Sequence, residues 1–345
     1  MVKPKALKKG DQIAVVSLSS GLGGEVAFLH RFETAKQRLE SDFGLEVVVM
    51  PNALKGIDYL DKHPERRADD LMAAFSNPEI KGIFCMTGGE DSIRLLPHID
   101  FDVIRNHPKV FMGYSDTTTN HFMMYKAGLV SFYGPAVMVE FAENVAMHDY
   151  TEKYVYSTLF EKNDQIDILP SPEWTSEFLD WSDPENKGIA RKMIPDDKGY
   201  ELLQGTGVAR GRLLGGCLEV FQMLIGTELW PATDEWDNKL LFLETSEECP
   251  DPSILKYFLR NLMAQGIMDR LNGIVFGKPV HEKYYDEYKE VLMRVVAEEA
   301  GRADLPILYN VNFGHASPIC ILPYGIEAMI DCEDKTLTLC EAAVV

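Results

Sequence analysis

Short apolar runs alternate with amphipathic stretches through the first half of the chain. QIAVVSL (12–18) lies between Gly10-Asp11 and Ser19-Ser20-Gly21 and predicts a short buried strand. Val26, Leu29, Phe32, Ala35 and Leu39 recur at spacings of three and four, so a helix is expected over about 25–42. LEVVVM (45–50) is the next strand, and 64–76 reads as a helix opened by Pro64 and ended near Asn77-Pro78. IKGIFCMT (80–87), a helix near 91–97, VFMG (110–113) and a helix over about 116–127 stopped by Gly128 continue the alternation. Apolar strands joined by helical crossovers predict a parallel sheet covered on both faces, with a ligand crevice beyond the carboxyl ends of its strands.

The pattern changes at 162–206. This stretch includes PSPEWTSEFLDWSDPENKGIARKMIPDDKG, rich in Pro, Asp, Glu and Gly. It reads as a linker or a long surface loop, and its two tryptophans argue against plain disorder. Alternation resumes with GVARGRLLGG leading into a helix over about 216–225, then KLLFLET (239–245), a helix over 252–265, GIVFGKPV (273–280) and a long helix over 283–300. PILYNV, ICILPYG, IEAMID and KTLTLC close the chain as strands. The expected fold class is α/β: an N-terminal parallel-sheet, Rossmann-like domain (1–161), a linker and substrate-covering loop (162–206), and a C-terminal α/β domain (207–345).

Composition narrows the function. Lys+Arg 34 against Asp+Glu 54 gives a formal charge of −20, which repels phosphate backbones and anionic lipid. Nucleic acid and membrane are therefore not expected as partners. No apolar run is long enough to span a bilayer, and the N-terminus has no apolar stretch with a small-residue cleavage site. The six cysteines are scattered without a CxxC pair and read as reduced, packed side chains, which points to the cytoplasm. No metal-ligand spacing occurs, so neither metal nor other cofactor is expected.

The candidate chemistry is nucleophilic. In KVFMGYSDTTTNHF (109–122) a strand runs into Gly113-Tyr114-Ser115-Asp116-Thr117 and a helix follows at once. Such an elbow lifts a serine hydroxyl above the sheet edge and aims the first helical N–H groups at an oxyanion beside it. Thr117 stands where the second glycine of G-x-S-x-G would be, and Ser115 equally suits a helix N-cap. Gly88-Gly89 in CMTGGEDSIRLL can bring backbone close to a ligand, as an anion cradle or an oxyanion donor, or can simply form a tight turn. His315, in the Gly-flanked loop NVNFGHASP, differs from most of the other histidines, which lie in polar helical or loop contexts, though a loop histidine can equally be structural. Glu244 ends KLLFLE and so points to the crevice or to solvent.

GDQIAVVSLSSG, TGGEDS, GYSDTT, LLGGCLE, LFLET and FGH, in this order, resemble the LD-carboxypeptidase family of serine peptidases over nearly the whole chain. The resemblance implies a Ser-Glu-His triad at Ser115, Glu244 and His315, an oxyanion hole from the N–H groups of Gly89 and Asp116, and a homodimer. The turn Thr87-Gly88-Gly89-Glu90-Asp91 and the long insertion resemble the microcin C self-immunity branch, in which a loop tryptophan stacks on the nucleobase of an aminoacyl-nucleotide. That implies Trp181, with Trp174 as the alternative, on the base, and Gly88 and Glu90 beside the substrate. The expected activity is hydrolysis of the amide or phosphoramide bond of an aminoacyl-nucleotide. A murein tetrapeptide LD-carboxypeptidase is the alternative, and a non-catalytic nucleotide- or peptide-binding protein the second.

Overall fold

The strand–helix alternation of the first half closes into a six-stranded sheet. The computed structural model describes residues 1–345. Strands β1 (Gln12–Val16), β2 (Glu46–Val49), β3 (Ile80–Cys85), β4 (Val110–Gly113) and β5 (Phe132–Tyr133) are all parallel and lie in the order β2-β1-β3-β4-β5. From β1 the chain crosses to one side for β2 and to the other for β3. The loops that follow β1 and β3 therefore diverge, and this divergence opens a crevice at the carboxyl ends. Burial on both faces explains the apolar runs: Ala14 and Val16 enter one core cluster, Ile13 and Val15 another.

The rest of the chain supplies β6 (Ile166–Ile168), β7 (Glu173–Trp174), β8 (Ile194–Pro195), β9 (Glu201–Gln204), β10 (Val208–Cys217), β11 (Lys239–Glu244), β12 (Leu271–Gly277), β13 (Ile307–Val311), β14 (Leu322–Pro323), β15 (Glu327–Asp331) and β16 (Thr336–Leu339). Eight of them form a second sheet ordered β6-β16-β15-β10-β11-β12-β13-β9. Its centre, β10 to β13, is parallel, and its flanks are antiparallel. β14 leaves this sheet and pairs antiparallel with β5, so the last third of the chain also closes the first sheet.

The helices at Pro64–Ser76, Thr117–Ala127 and Pro252–Ala264 fall where periodicity and stop signals put them. Three differences have physical causes. The 162–206 stretch is not loop throughout: β6 and β9 are edge strands of the second sheet, and β7 pairs with β8. Edge strands of three and four residues amid Pro and Asp carry too little periodicity to stand out. The helix expected over 216–225 is reduced to short turns at Leu218–Val220 and Phe221–Leu224, because β10 continues through both glycines to Cys217. Helices Phe101–Asn106 and Asp149–Val155 are too short to show a 3.6-residue pattern.

The two sheets meet at their carboxyl ends. Tyr133 at the end of β5, Phe242 in β11, Phe313 after β13 and Tyr324 after β14 form one aromatic cluster, and the Tyr324 hydroxyl donates to the Gly215 carbonyl at 2.6 Å. The Cys217 N–H donates to Thr118 Oγ1 at 3.0 Å across the same seam. β10 and β11 approach so closely here that a Cβ at Gly215 would overlap the Phe242 carbonyl. Gly215→Ala should therefore destabilise the protein by about 2–3 kcal/mol, through forced separation of two central strands. Urea unfolding measures this, and a midpoint within error of wild type would contradict it.

Candidate active site

Ser115 occupies the tight turn between β4 and the helix Thr117–Ala127, with φ at +64°. A non-glycine residue held in this region stores strain of about 1–3 kcal/mol, which the surroundings must over-determine. Three contacts do so. Buried His121 lies 2.9 Å from the Gly113 carbonyl through Nε2 and 2.8 Å from Ser131 Oγ through Nδ1. Burial pushes its pKa down to about 3, so the ring is neutral and Nε2–H donates to the carbonyl. The Ser115 N–H donates to the Tyr133 hydroxyl at 3.2 Å. Buried Asp116 accepts from Ser19 Oγ at 2.6 Å and from the Ser92 N–H at 2.8 Å, tying the elbow to the loops after β1 and β3.

The turn after β3 lies against the serine. A Cβ on Gly88 would come within 2.8 Å of Ser115 Cβ and 2.9 Å of its Oγ, so only glycine leaves the hydroxyl room. The N–H groups of Gly89 and Asp116 donate to no acceptor within the protein. Glu90 is exposed on the rim of this turn.

The second sheet brings a carboxylate and an imidazole to the same place. Glu244, fully buried at the carboxyl end of β11, accepts from the Tyr133 hydroxyl at 2.5 Å through Oε1 and contacts His315 Nδ1 at 2.7 Å through Oε2. Tyr133 thus links the backbone of Ser115 to the partner of His315. Gly314, at φ +94°, lets the His315 loop pass the Glu244 side chain, since a Cβ there would lie 2.5 Å from Oε2. Burial alone would lower the His315 pKa, but Glu244, Glu247 and Glu219 together raise it to about 9. The edge of the Tyr114 ring packs on the imidazole at a centroid distance of 4.9 Å. His315 Nε2 lies 3.1 Å from Glu247 Oε2, an exposed carboxylate on the loop after β11.

The 162–206 stretch, termed the lid below, is tied to the site. Thr175 and Ser317 exchange backbone hydrogen bonds of 2.7 and 2.9 Å, and Arg191 donates to Ser317 Oγ at 2.9 Å while pairing with Glu143. The lid is thereby fixed to the loop that carries His315. Trp181 lies beneath the Arg31 guanidinium at 4.3 Å and beside Phe178, on an open cleft also lined by Val139, Asn144 and Arg191. Trp174 is elsewhere. It is only 6% exposed, at the base of the lid, against the buried Lys278–Asp196 pair. That burial makes it an anchor of the lid and removes it as an open stacking face.

Residues 13–134 match the LD-carboxypeptidase N-terminal domain, and residues 210–330 match the LD-carboxypeptidase C-terminal domain. The chain belongs to the LD-carboxypeptidase family. It is therefore a serine peptidase, and its relatives place it among the MccF-like members. The Escherichia coli microcin C7 self-immunity protein MccF is 30% identical over 80% of this chain and 78% of its own length. A solved MccF structure with glutamyl sulfamoyl guanosine superposes with a TM-score of 0.87 at 25% identity over 100% of both chains. An MccF-like protein from Streptococcus pneumoniae, solved with AMP, is 37% identical with a TM-score of 0.87, covering 95% of this chain and 98% of its own. The Pseudomonas aeruginosa murein tetrapeptide carboxypeptidase is 29% identical over 83% of this chain and 88% of its own.

Two site residues, Tyr133 and Glu247, were not legible in the sequence. Tyr133 ends a strand of two residues, with no period to assign its face. Glu247 is one of several carboxylates in ETSEE, and only the fold shows which of them reaches His315. Tyr133→Phe removes one hydroxyl that bridges Ser115 N–H and Glu244. It should lower kcat about 10- to 100-fold, the cost of leaving a buried carboxylate oxygen without its donor. Steady-state kinetics well below the melting temperature of the variant tests this, and a kcat within threefold of wild type, roughly the cost of a solvent-satisfied group, would contradict it.

Proposed function

We propose that this peptidase hydrolyses the amide or phosphoramide bond of aminoacyl-nucleotides through a triad of Ser115, His315 and Glu244. The observation that carries the reading is the buried Glu244–His315 pair at 2.7 Å, joined through Tyr133 to a strained serine elbow. In this mechanism neutral His315 takes the Ser115 proton at Nε2 as Oγ attacks the carbonyl carbon. The Gly89 and Asp116 N–H groups hold the tetrahedral oxyanion. The imidazolium then returns its proton to the leaving nitrogen, and a water molecule releases the acyl group by the same route. Glu244 holds Nδ1–H and so presents Nε2 to the serine.

The nucleotide part of the reading rests on the lid. Trp181 and Phe178 offer aromatic surface on an open cleft, and MccF-like structures carry AMP or an aminoacyl nucleoside analogue. Gly88 and Glu90 would flank the acyl half, and the insertion between 162 and 206 would cover the base, within an N-terminal unit (1–161) and a C-terminal unit (207–345). Family likeness also supports a cytoplasmic homodimer. Hydrolysis of a murein tetrapeptide is the competing substrate class, which the Pseudomonas relative represents.

Two expectations separate these ideas. His315 must be neutral to accept a proton, and its pKa is raised to about 9, so the competent fraction grows as pH rises. kcat/KM should climb about tenfold per pH unit through neutrality and level off near 9. A profile already flat from about pH 7.5 upward, as for a base with the ordinary histidine value, would remove His315 in its carboxylate setting as the base. Trp181→Ala should raise KM for an aminoacyl sulfamoyl-adenosine about 5- to 100-fold, the worth of one stacked base, and leave a substrate without a base unchanged. Equal losses on both would make Trp181 a lid anchor. Activity on a murein tetrapeptide alone would give the site to the murein reading.

A further inference from the structure

The general base is engaged on both ring nitrogens. Nδ1 contacts Glu244, and Nε2 contacts Glu247 at 3.1 Å. Both partners are carboxylates, which accept and cannot donate, so this arrangement favours the imidazolium, with a proton on each nitrogen. In that state Nε2 has no lone pair for the Ser115 proton. The substrate-free geometry therefore carries one proton too many for catalysis, and Glu247 is the group that must leave.

What draws it away is legible in the surrounding charge. Around His315 and Tyr114 stand Glu244 and Glu247 from β11 and its loop, Glu219 after β10, and Glu140 from the segment after β5. The cation that acts on this cluster, Arg191, is already committed to Glu143 and Ser317. Glu219 accepts from Ser246, and Glu140 accepts from the Ala136 N–H. Glu247 differs from all of these. Its side chain is 68% exposed, and its contact with Nε2 is its one ion pair. An exposed side chain on a loop can change partners at small cost.

We propose that Glu247 is a specificity-determining residue that holds His315 Nε2 in the substrate-free enzyme and transfers to the α-ammonium group of the substrate's acyl half. This deepens the serine-triad reading and rests on it. In the triad, Nε2 must reach Ser115 Oγ, and it already lies 3.1 Å from Glu247; the α-nitrogen, about 2.5 Å from the scissile carbon bound on Oγ, then comes within reach of Glu247. The ammonium replaces the imidazolium as the partner of Glu247. The Nε2 proton then passes to solvent, which leaves the neutral ring with its lone pair directed at the serine. Substrates with a free α-amine thus arm the base as they bind, and N-acylated substrates leave Glu247 in place.

Glu247→Gln tests this with two substrate pairs: an aminoacyl sulfamoyl-adenosine and an amino-acid p-nitroanilide, each with a free and an N-acetylated α-amine. Wild type should favour the free amine at least about tenfold in kcat/KM, the scale of one charge-assisted contact, and the variant should bring that ratio to within about threefold of unity. The loss on free-amine substrates should lie in KM. The His315 midpoint, read by NMR in substrate-free protein, should fall by about one pH unit as one of its two carboxylate partners is lost. An unchanged free-amine preference, or an unmoved midpoint, overturns the proposal. Failure of the nucleotide reading has another signature: the anilide pair keeps its preference while neither nucleotide is cleaved. Failure of the triad reading has a third, since Ser115→Ala would then retain activity on both pairs.

Discussion

A single buried carboxylate connects the two halves of this protein. Glu244 has no exposed surface, and a bare carboxylate in that position would be costly. Its cost is offset by His315 on one oxygen and the Tyr133 hydroxyl on the other. Removing one partner from such a buried charge typically costs about 3–5 kcal/mol, so the three groups constrain one another. Tyr133 belongs to the first sheet and Glu244 to the second, and the Tyr133 hydroxyl also accepts the Ser115 N–H. The elbow, the acid and the imidazole are thus positioned by one chain of contacts that crosses the seam between sheets. Close passage of Gly88 past Ser115, and of Gly314 past Glu244, lets that chain close.

The same chain explains what the sequence could show. Strands buried on both faces are continuous apolar runs, so VFMG and KLLFLE were readable as strands, and their last residues lie at the crevice. Ser115, Glu244 and His315 each end or follow such a strand, and the fold brings their loops together. Residues on short or irregular elements were not readable in this way. Tyr133 sits on a two-residue strand, and β6 and β9 are edge strands within a Pro- and Asp-rich stretch. Trp174 and Trp181 have similar local sequence, each preceded by an acidic residue. Only tertiary placement separates the buried anchor on Lys278 from the ring on the open cleft.

The lid belongs to the same account. It is fastened to the His315 loop by the Thr175–Ser317 backbone pair and by Arg191, and at its base by Lys278 with Asp196 and Trp174. Between these fixed points the stretch bearing Phe178 and Trp181 is largely exposed and makes few apolar contacts, the character of a segment that can adjust to a ligand. The 162–206 stretch and the His315 loop are thus mounted on one another.

The nucleophilicity of Ser115 is the property on which the proposed chemistry turns. An alkyl fluorophosphonate should form one covalent adduct per chain, mapped by peptide mass spectrometry to the tryptic segment containing Ser115. Its rate of formation should rise with pH as His315 loses its proton near 9 and vanish in Ser115→Ala. An intact chain without adduct after prolonged incubation at alkaline pH, or an adduct on another residue, would contradict the assignment of the active site.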